Sequence, residues 1–316
     1  MLVIVFPGQG SQSPGFLAPW LELPGVADRL RWASAVVGDD LVAHGTVSDA
    51  DTLRDTAVAQ PLIVAAGLLG LHELSSGPGT LPAGVGAVGG HSVGELTAAA
   101  AAGALSAEQA LVLVRERGRA MAAAAAARPT GMSAVLGGDP VEVAAALTAH
   151  GLTPANVNGG GQVVAAGTLD ALAAFAADPP AKARVIALQV AGAFHTEHMA
   201  PAVGRLEELA RGVVPGTGRV PMAANADGEL VTDGREVLRR LVVQVSRPVR
   251  WDLCLEAFAH LGVTGLIEVP PAGTLANLAK RTLKGVDVLA LKTPAELERA
   301  RTMIAEHGAP ALEGAL

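Results

Sequence analysis

The chain has 316 residues, of which 50% are hydrophobic and 17% charged, and its formal net charge is -7. A chain this apolar can bury a large core, which excludes disorder, and roughly 100–200 residues per domain predicts two domains. The acidic balance argues against general nucleic-acid binding, which depends on neutralising phosphates, and so does an aromatic content of 3%. The single cysteine, Cys254, forms neither an intrachain disulfide nor a cysteine zinc cluster and suits a reducing compartment.

Two apolar segments are candidates for targeting or membrane signals. Met1–Phe6 is apolar but has no basic residue, and Pro7-Gly8 follows it, so the pattern is not that of a signal peptide. The longest apolar stretch, about residues 57–71, contains Gln60 and Pro61 and is shorter than the roughly 18 residues that span a bilayer. We therefore expect a soluble, cytoplasmic protein with no membrane partner.

The first half of the chain alternates short apolar runs with helical patterns. The predicted elements are strands over residues 2–6 and 85–88, and helices over residues 57–74, from residue 95 onwards, and over residues 106–127. The last of these helices has a capping box, because Ser106 is followed three residues later by Gln109.

A different pattern begins near Arg128-Pro129. Strands are predicted over residues 132–136, 155–158, 162–166 and 184–190, and helices over residues 140–149 and 169–177. The glycine run at residues 159–161 predicts a hairpin between the second and third of these strands. The order β-α-β-β-α-β is that of the ferredoxin-like unit, which we place in an inserted small subdomain of residues 128–190.

Alternation of strands and helices resumes after the insertion. Helices are predicted over residues 199–211, 234–243, 251–260, 274–283 and 295–306, and strands over residues 220–224, 266–269 and 286–291. This alternation implies a mainly parallel sheet covered on both faces. The predicted fold class is therefore α/β, with a large hydrolase-like catalytic subdomain of residues 1–127 and 191–316 around the ferredoxin-like insertion.

The strongest chemical signal is a G-x-S-x-G motif centred on Ser92, between a predicted strand and a helix start. In such a nucleophile elbow, the serine lies in a sharp turn and the two glycines leave room for neighbouring elements. The helix N-terminus below it offers free N–H groups where negative charge develops. A glycine-rich turn without chemistry is the alternative. The G-x-G-x-x-G at residues 84–89 lies within the predicted strand instead of after it, so we predict no nucleotide site.

His195 is the best candidate for the base that a serine nucleophile needs. It follows a predicted strand and lies downstream of Ser92, whereas the only aspartates between the two residues fall in the inserted subdomain. We therefore expect a backbone carbonyl to orient His195 in a Ser–His dyad, with a full triad as the alternative. His195 and His198 have a spacing that hints at a metal, but no further ligand cluster accompanies them, so no metal site is predicted.

Arg117 lies in the predicted helix 106–127 and is followed by Gly118. Glycine inside a helix costs about 1 kcal/mol relative to alanine, so its presence suggests close packing and an inward-pointing arginine nearby. A buried guanidinium binds a carboxylate bidentately. A solvated surface arginine is the alternative.

Five motifs occur in register along the chain. They are Phe6-Pro7-Gly8-Gln9-Gly10-Ser11-Gln12, Gly90-His91-Ser92-Val93-Gly94-Glu95, Arg117-Gly118, Gly192-Ala193-Phe194-His195 and Gln244-Val245-Ser246-Arg247-Pro248-Val249-Arg250-Trp251. Together they resemble the malonyl-CoA:acyl carrier protein transacylases of bacterial fatty acid synthesis and the related acyltransferase domains of polyketide synthases. The resemblance covers nearly the whole chain. One departure is Glu268, which stands near the start of a turn where the family usually has glycine, and it leaves the local loop shape open.

The resemblance implies a role for each matching residue. Ser92 is the nucleophile, His195 is the general base and acid, and the carbonyl of Gln244 holds His195. The N–H groups of Gln9 and Val93 form the oxyanion hole. Arg117 binds the malonyl carboxylate, and Phe194 occupies the space that an α-methyl group needs. The implied reaction is ping-pong acyl transfer through a malonyl-serine, without a metal or a bound redox cofactor.

The partners implied by the resemblance are malonyl-CoA and acyl carrier protein, and a monomer is implied. Because the carrier is expected to be acidic, docking needs a local basic patch; the candidates are Lys280, Arg281 and Lys284, or Lys182 and Arg184, with an ordinary solvated face as the alternative. Three other functions stay open: a serine hydrolase of acyl thioesters, a polyketide trans-acyltransferase on the same scaffold, and a non-catalytic subunit.

Overall fold

The computed structural model describes residues 1–75 and 81–308, which form eleven strands and twelve α-helices. The strands are β1 (Leu2–Phe6), β2 (Val85–Gly90), β3 (Thr130–Gly137), β4 (Thr153–Gly159), β5 (Gln162–Thr168), β6 (Ala183–Ala187), β7 (Met222–Ala223), β8 (Leu230–Val231), β9 (Val249–Arg250), β10 (Gly265–Glu268) and β11 (Asp287–Ala290). The helices are α1 (Val26–Val37), α2 (Leu41–Thr46), α3 (Thr56–Leu74), α4 (Gly94–Ala102), α5 (Ala107–Ala126), α6 (Pro140–Ala149), α7 (Leu169–Ala177), α8 (Ala200–Ala210), α9 (Gly234–Val243), α10 (Trp251–His260), α11 (Thr274–Thr282) and α12 (Leu297–His307).

The larger sheet has the strand order β11-β10-β1-β2-β7-β8, and all its neighbours are parallel except β7 and β8. Its central strand β1 is buried along its whole length. Leu2, Ile4 and Phe6 pack into one core cluster, whereas Val3 and Val5 pack into another, because successive side chains of a strand point to opposite faces. Both faces of this sheet are therefore covered.

The smaller sheet has the strand order β6-β3-β5-β4-β9. Its first four strands are antiparallel and alternate with α6 and α7 in the predicted β-α-β-β-α-β order. Strand β9, from the last third of the chain, pairs in parallel with β4, so the insertion alone does not form this sheet. The α/β fold class with a second, ferredoxin-like unit is confirmed, and the subdomain boundaries at residues 128 and 190 stay a prediction.

Several predicted elements differ from those observed. The strand expected over residues 184–190 runs from Ala183 to Ala187; Leu188 still donates its N–H to the carbonyl of Met132, and residues 188–190 line a cleft. The strand expected over residues 220–224 pairs only at Met222–Ala223, since Pro221 has no N–H to donate. Helix α8 begins at Ala200, preceded by a short 3-10 turn, and the amphipathic helix α1 was not predicted.

Helix α3 has 19 residues and is longer than the apolar stretch expected from the sequence. By length and composition alone it could cross a membrane, the one described helix that could. In the structure 72% of its most apolar window is buried inside the protein. Its neighbours approach closely, since a Cβ on Gly67 would lie 2.9 Å from the Thr97 side chain and a Cβ on Gly70 would lie 2.4 Å from Pro270. The helix is thus a central part of the core.

Candidate active site

Ser92 lies in the sharp turn between β2 and α4. Its φ of +53° is in the left-handed region that favours glycine. A Cβ on Gly90 would lie 2.1 Å from the carbonyl carbon of Gly94, and a Cβ on Gly94 would lie 2.2 Å from the carbonyl oxygen of Phe6. Both glycines are therefore needed for the turn to pack against its own helix and against β1, as expected for an elbow that exposes a serine hydroxyl.

The Ser92 hydroxyl contacts His195. Its Oγ lies 2.6 Å from Nε2 of the imidazole, and Nδ1 on the other side lies 2.9 Å from the carbonyl oxygen of Gln244. A carbonyl only accepts hydrogen bonds, so Nδ1 carries the proton and Nε2 is left to accept from the serine. A carbonyl thus occupies the place that a carboxylate takes in a triad. Burial, and then the charge of Arg117, lowers the pKa of His195 to about 3, which keeps the imidazole neutral.

The loop after β1 packs against the serine turn. The N–H of His91 donates to the carbonyl of Phe6 over 2.9 Å, and a Cβ on Gly8 would lie 2.8 Å from the carbonyl oxygen of His91. Gln9 lines the same cleft as Ser92. Within residues 1–75 and 81–308, no group accepts a hydrogen bond from the main-chain N–H of Gln9 or Val93. Two main-chain donors at the serine turn and the loop packed against it are thus available to a ligand.

Arg117 on α5 points inward and is only 2% exposed. Its Nη1 donates to Oε1 of Gln60, and its Nη2 donates to Oε1 of Gln244, both over 2.7 Å; Nη2 also lies 3.3 Å from Oγ of Ser92. Burial lowers the pKa of Arg117 to about 10, opposed by the charge of Glu95, so the guanidinium stays cationic at neutral pH. Among the described residues, no carboxylate lies within 4 Å of it. This buried cation therefore has neutral partners only, which are two side-chain amides and the Ser92 hydroxyl.

Ser92, His195 and Gln9 line a cleft of about 600 Å³ between the two sheets, and Arg117 contacts this lining through Ser92 and Gln60. Its walls combine polar residues with apolar side chains, which include Phe194, 6% exposed, Met121 and Val164. A larger cleft, of about 720 Å³, lies between α1, α3 and α5 and contains none of the predicted site residues. The smaller cleft is the candidate active site, because it contains Ser92 and His195.

Comparisons with known proteins identify the family of the chain. A family model for the acyl transferase domain matches residues 3–308. The malonyl CoA-acyl carrier protein transacylase of Mycobacterium tuberculosis is 49% identical over 303 residues, which cover 94% of this chain and 98% of that protein. The protein of the same name from Salmonella typhimurium is 36% identical over 306 residues, with coverage of 94% and 98%. The chain belongs to the malonyl CoA-acyl carrier protein transacylase family.

Solved structures of family members have the same fold. The crystal structure of MCAT from Mycobacterium tuberculosis superposes with a TM-score of 0.90 at 48% identity, covering 95% of this chain and 99% of that one. A malonyl-transacylase in complex with a type II PKS acyl-carrier protein superposes with a TM-score of 0.87 at 31% identity, with coverage of 95% and 99%. The chain is accordingly an acyltransferase of the family that transfers malonyl from malonyl-CoA to acyl carrier protein.

Three polar residues of the site were not anticipated from the sequence. Gln60 on α3 binds Arg117, and the side chains of Glu95 and Asn225 are buried behind Ser92. One signal for Glu95 was available, because it is the only charged residue of α4, which is otherwise built from small and apolar residues plus one threonine. A carboxylate is almost never fully buried unless it is paired, so a single glutamate in such a helix indicates a buried partner.

Glu268, which stands where the family usually has glycine, has a structural role in the loop that follows it. The Glu268 carboxylate accepts hydrogen bonds from the N–H groups of Gly273, Leu275 and Ala276 over 2.7, 3.0 and 2.8 Å. It therefore caps the N-terminus of α11, where backbone donors have no partner within the helix. Leu275 and Leu278 of the same helix line the cleft, so this cap helps to fix one wall of the site.

Proposed function

We propose that this chain carries the malonyl group from malonyl-CoA to the phosphopantetheine thiol of acyl carrier protein as an ester on Ser92. The observation that carries the proposal is the 2.6 Å contact between Ser92 Oγ and His195 Nε2, next to a buried arginine that has no carboxylate partner in the described chain. A neutral base, a nucleophile and an anchor for an acyl carboxylate are the parts that malonyl transfer requires.

In the first half-reaction, Arg117 binds the carboxylate of the malonyl group and holds the thioester carbonyl over Ser92. His195 Nε2 takes the hydroxyl proton as Oγ bonds to the thioester carbon. The N–H groups of Gln9 and Val93 stabilise the oxyanion, a contribution of about 3–4 kcal/mol for a single donor. The C–S bond then breaks, the proton on His195 passes to the departing sulfur of coenzyme A, and malonyl-Ser92 remains.

The second half-reaction uses the same groups in reverse. The phosphopantetheine thiol enters the cleft, and His195 takes its proton as the sulfur attacks the ester carbon. The ester C–O bond breaks, Oγ of Ser92 recovers the proton from His195, and malonyl leaves on the carrier. The carbonyl of Gln244, 2.9 Å from Nδ1, stabilises the imidazolium in both halves without itself accepting the proton.

For docking of the carrier we favour Lys280, Arg281 and Lys284 over Lys182 and Arg184. All five are exposed, and none has an ion-pair partner among the described residues. The first three lie on or just after α11, which also lines the cleft through Leu275 and Leu278. An acidic partner bound there could direct its phosphopantetheine to Ser92. We also expect a cytoplasmic monomer without a metal or redox cofactor.

The docking surface is tested by charge reversal, with Lys280→Glu against Lys182→Glu as the matched control. Lys280→Glu is expected to slow transfer to the carrier at least tenfold while leaving acylation by malonyl-CoA unchanged, and Lys182→Glu is expected to change neither rate. Equal loss in both half-reactions, or an effect of Lys182→Glu alone, would reject the α11 surface.

The transfer itself is tested by separating acylation from deacylation. Enzyme loaded with malonyl-CoA and freed of coenzyme A is expected to keep its malonyl group in water and to lose it on addition of the phosphopantetheine carrier. Rapid loss in water without a thiol would favour the serine hydrolase instead. A Ser92→Ala variant that retains transfer would show that malonyl does not pass through Ser92, and a wild type that is never acylated would favour a non-catalytic subunit.

A further inference from the structure

The side chain of Gln244 contacts two parts of the site that its main chain does not reach. Its Oε1 accepts from Nη2 of Arg117 over 2.7 Å, and its Nε2 donates to the carbonyl oxygen of Ser92 over 3.0 Å. Its main-chain carbonyl meanwhile accepts from His195. One residue, only 5% exposed, therefore touches the base, the nucleophile and the cation.

A glutamine amide can face its neighbours in two ways, because its oxygen and nitrogen ends have nearly the same shape. Arg117 only donates hydrogen bonds, so it requires the oxygen end. Glu95 requires the nitrogen end, since a carboxylate only accepts, and its Oε2 lies 2.5 Å from Nε2 of Gln244. The amide is thus fixed from both sides by groups of opposite charge.

Glu95 is itself held in place. Its Oε1 accepts from the main-chain N–H of Asn225 over 2.5 Å, and the Oδ1 of Asn225 accepts from the N–H of Ser92 over 2.7 Å. Glu95 and Asn225 are 1% and 0% exposed. Both carboxylate oxygens are therefore occupied by donors, and a neutral glutamine at position 95, with one acceptor and one donor, could satisfy only one of them.

We propose that Glu95 is a positioning residue for malonyl selectivity, whose buried carboxylate orients the Gln244 amide so that Oε1 holds Arg117 in place for the acyl carboxylate. This inference rests on the proposed function. It differs from the roles of Ser92 and His195, because it concerns only substrates that carry a carboxylate. Acetyl-CoA lacks that group and does not use Arg117, so it serves as the internal reference.

The test is competition between malonyl-CoA and acetyl-CoA for acylation of Ser92 at pH 8, read by intact mass. Glu95→Gln is expected to lower the malonyl-to-acetyl preference at least tenfold, and Glu95→Asp, which keeps the charge, is expected to lower it less. Glu116→Gln is the matched control, because Glu116 is a second buried acid whose partners Arg115, Arg119 and Arg205 lie outside the cleft. It is expected to leave the preference unchanged.

A second variant keeps the test decisive if Glu95→Gln does not fold. Gln244→Met retains the main-chain carbonyl on His195 but removes the amide, and the same loss of preference is expected. Equal losses for both acyl groups, or an unchanged preference, in Glu95→Gln or Gln244→Met would overturn the inference. Two other results would contradict the proposed function itself. They are a wild type with no preference for malonyl-CoA over acetyl-CoA, and an Arg117→Ala variant that retains this preference.

Discussion

Ser92 and His195 are 103 positions apart in the chain, yet Oγ of Ser92 lies 2.6 Å from Nε2 of His195, and both residues have a positive φ, +53° and +61°. In the described part of the chain, only Lys182 shares this feature among residues other than glycine. Such conformations cost of order 1–3 kcal/mol each and persist where surrounding contacts fix them. Here those contacts are the glycines around Ser92 and the bond from the His195 N–H to the carbonyl of Val245.

Replacing Arg117 with alanine is expected to remove the carboxylate anchor. A hydrogen-bonded charge contact contributes about 1.5–3 kcal/mol, so malonyl acylation should fall by about ten- to a hundredfold or more, while acetyl acylation falls much less. Single-turnover acylation with each thioester measures this. Arg119→Ala on the same helix is the control, because its side chain is 56% exposed. An equal effect of the two variants would contradict the anchor role of Arg117.

Phe194 is expected to set the choice between malonyl and methylmalonyl. It lines the cleft next to His195 and is buried, so Phe194→Ser creates the space that an α-methyl group needs. The preference for malonyl over methylmalonyl should fall by about 1–3 kcal/mol, since one methyl group offers little more. The ratio of kcat/KM values for the two thioesters checks this. Comparable use of both thioesters by wild type would contradict the assignment.

The glycines of the serine turn are expected to be intolerant of a methyl group. Gly94→Ala would place a Cβ 2.2 Å from the carbonyl oxygen of Phe6, and this backbone contact cannot relax by a side-chain rotation. We expect loss of acylation and a clear drop in Tm. Gly204→Ala in α8 has no atom within 4 Å of its new Cβ and should instead stabilise the protein by about 0.5–1 kcal/mol. Similar Tm values for the two variants would argue against this packing.

Glu95 is expected to make stability depend on pH. Burial raises its pKa from 4.5 to about 7, against the hydrogen bonds from Asn225 and Gln244. Below pH 4.5 the Glu95 carboxyl is protonated in both the folded and the unfolded state. Between pH 4.5 and 7 only the folded state keeps the proton. The contribution of protonated Glu95 to the stability of the fold is therefore lost as the pH rises through this range. The free energy of unfolding of wild type relative to Glu95→Gln should therefore fall by about 3 kcal/mol across this range. Denaturant titrations of both proteins at several pH values measure this difference. A difference in the free energy of unfolding that stays constant between pH 4.5 and 7 would show that Glu95 is ionised in the folded protein over this range.

The sequence predicted the features of the fold and of the site that have local signatures. The G-x-S-x-G turn, the capping box at Ser106 and the hairpin at residues 159–161 all depend on residues close in the chain, and all are present in the fold. The absence of a nearby aspartate also indicated a carbonyl next to His195, which is where the carbonyl of Gln244 lies.

The remaining parts depend on contacts between distant segments. Asn225 meets Ser92 across 133 positions, and Gln244 meets Glu95 across 149, so no local pattern could pair them. Strand β9 has two residues and exists only because β4 is alongside it. Helix α1, by contrast, has its buried residues Val26, Leu30, Ala33 and Val37 at helical spacing, and this signal could have been used.

The central claim is that Ser92 carries the malonyl group, and intact mass spectrometry with peptide mapping tests it most directly. After mixing with malonyl-CoA, the wild-type protein should gain one malonyl group on the peptide containing Ser92 and lose it on addition of the phosphopantetheine carrier. Ser92→Ala should gain none. A malonyl adduct on Ser92→Ala, or transfer to the carrier without an adduct on wild type, would contradict the account.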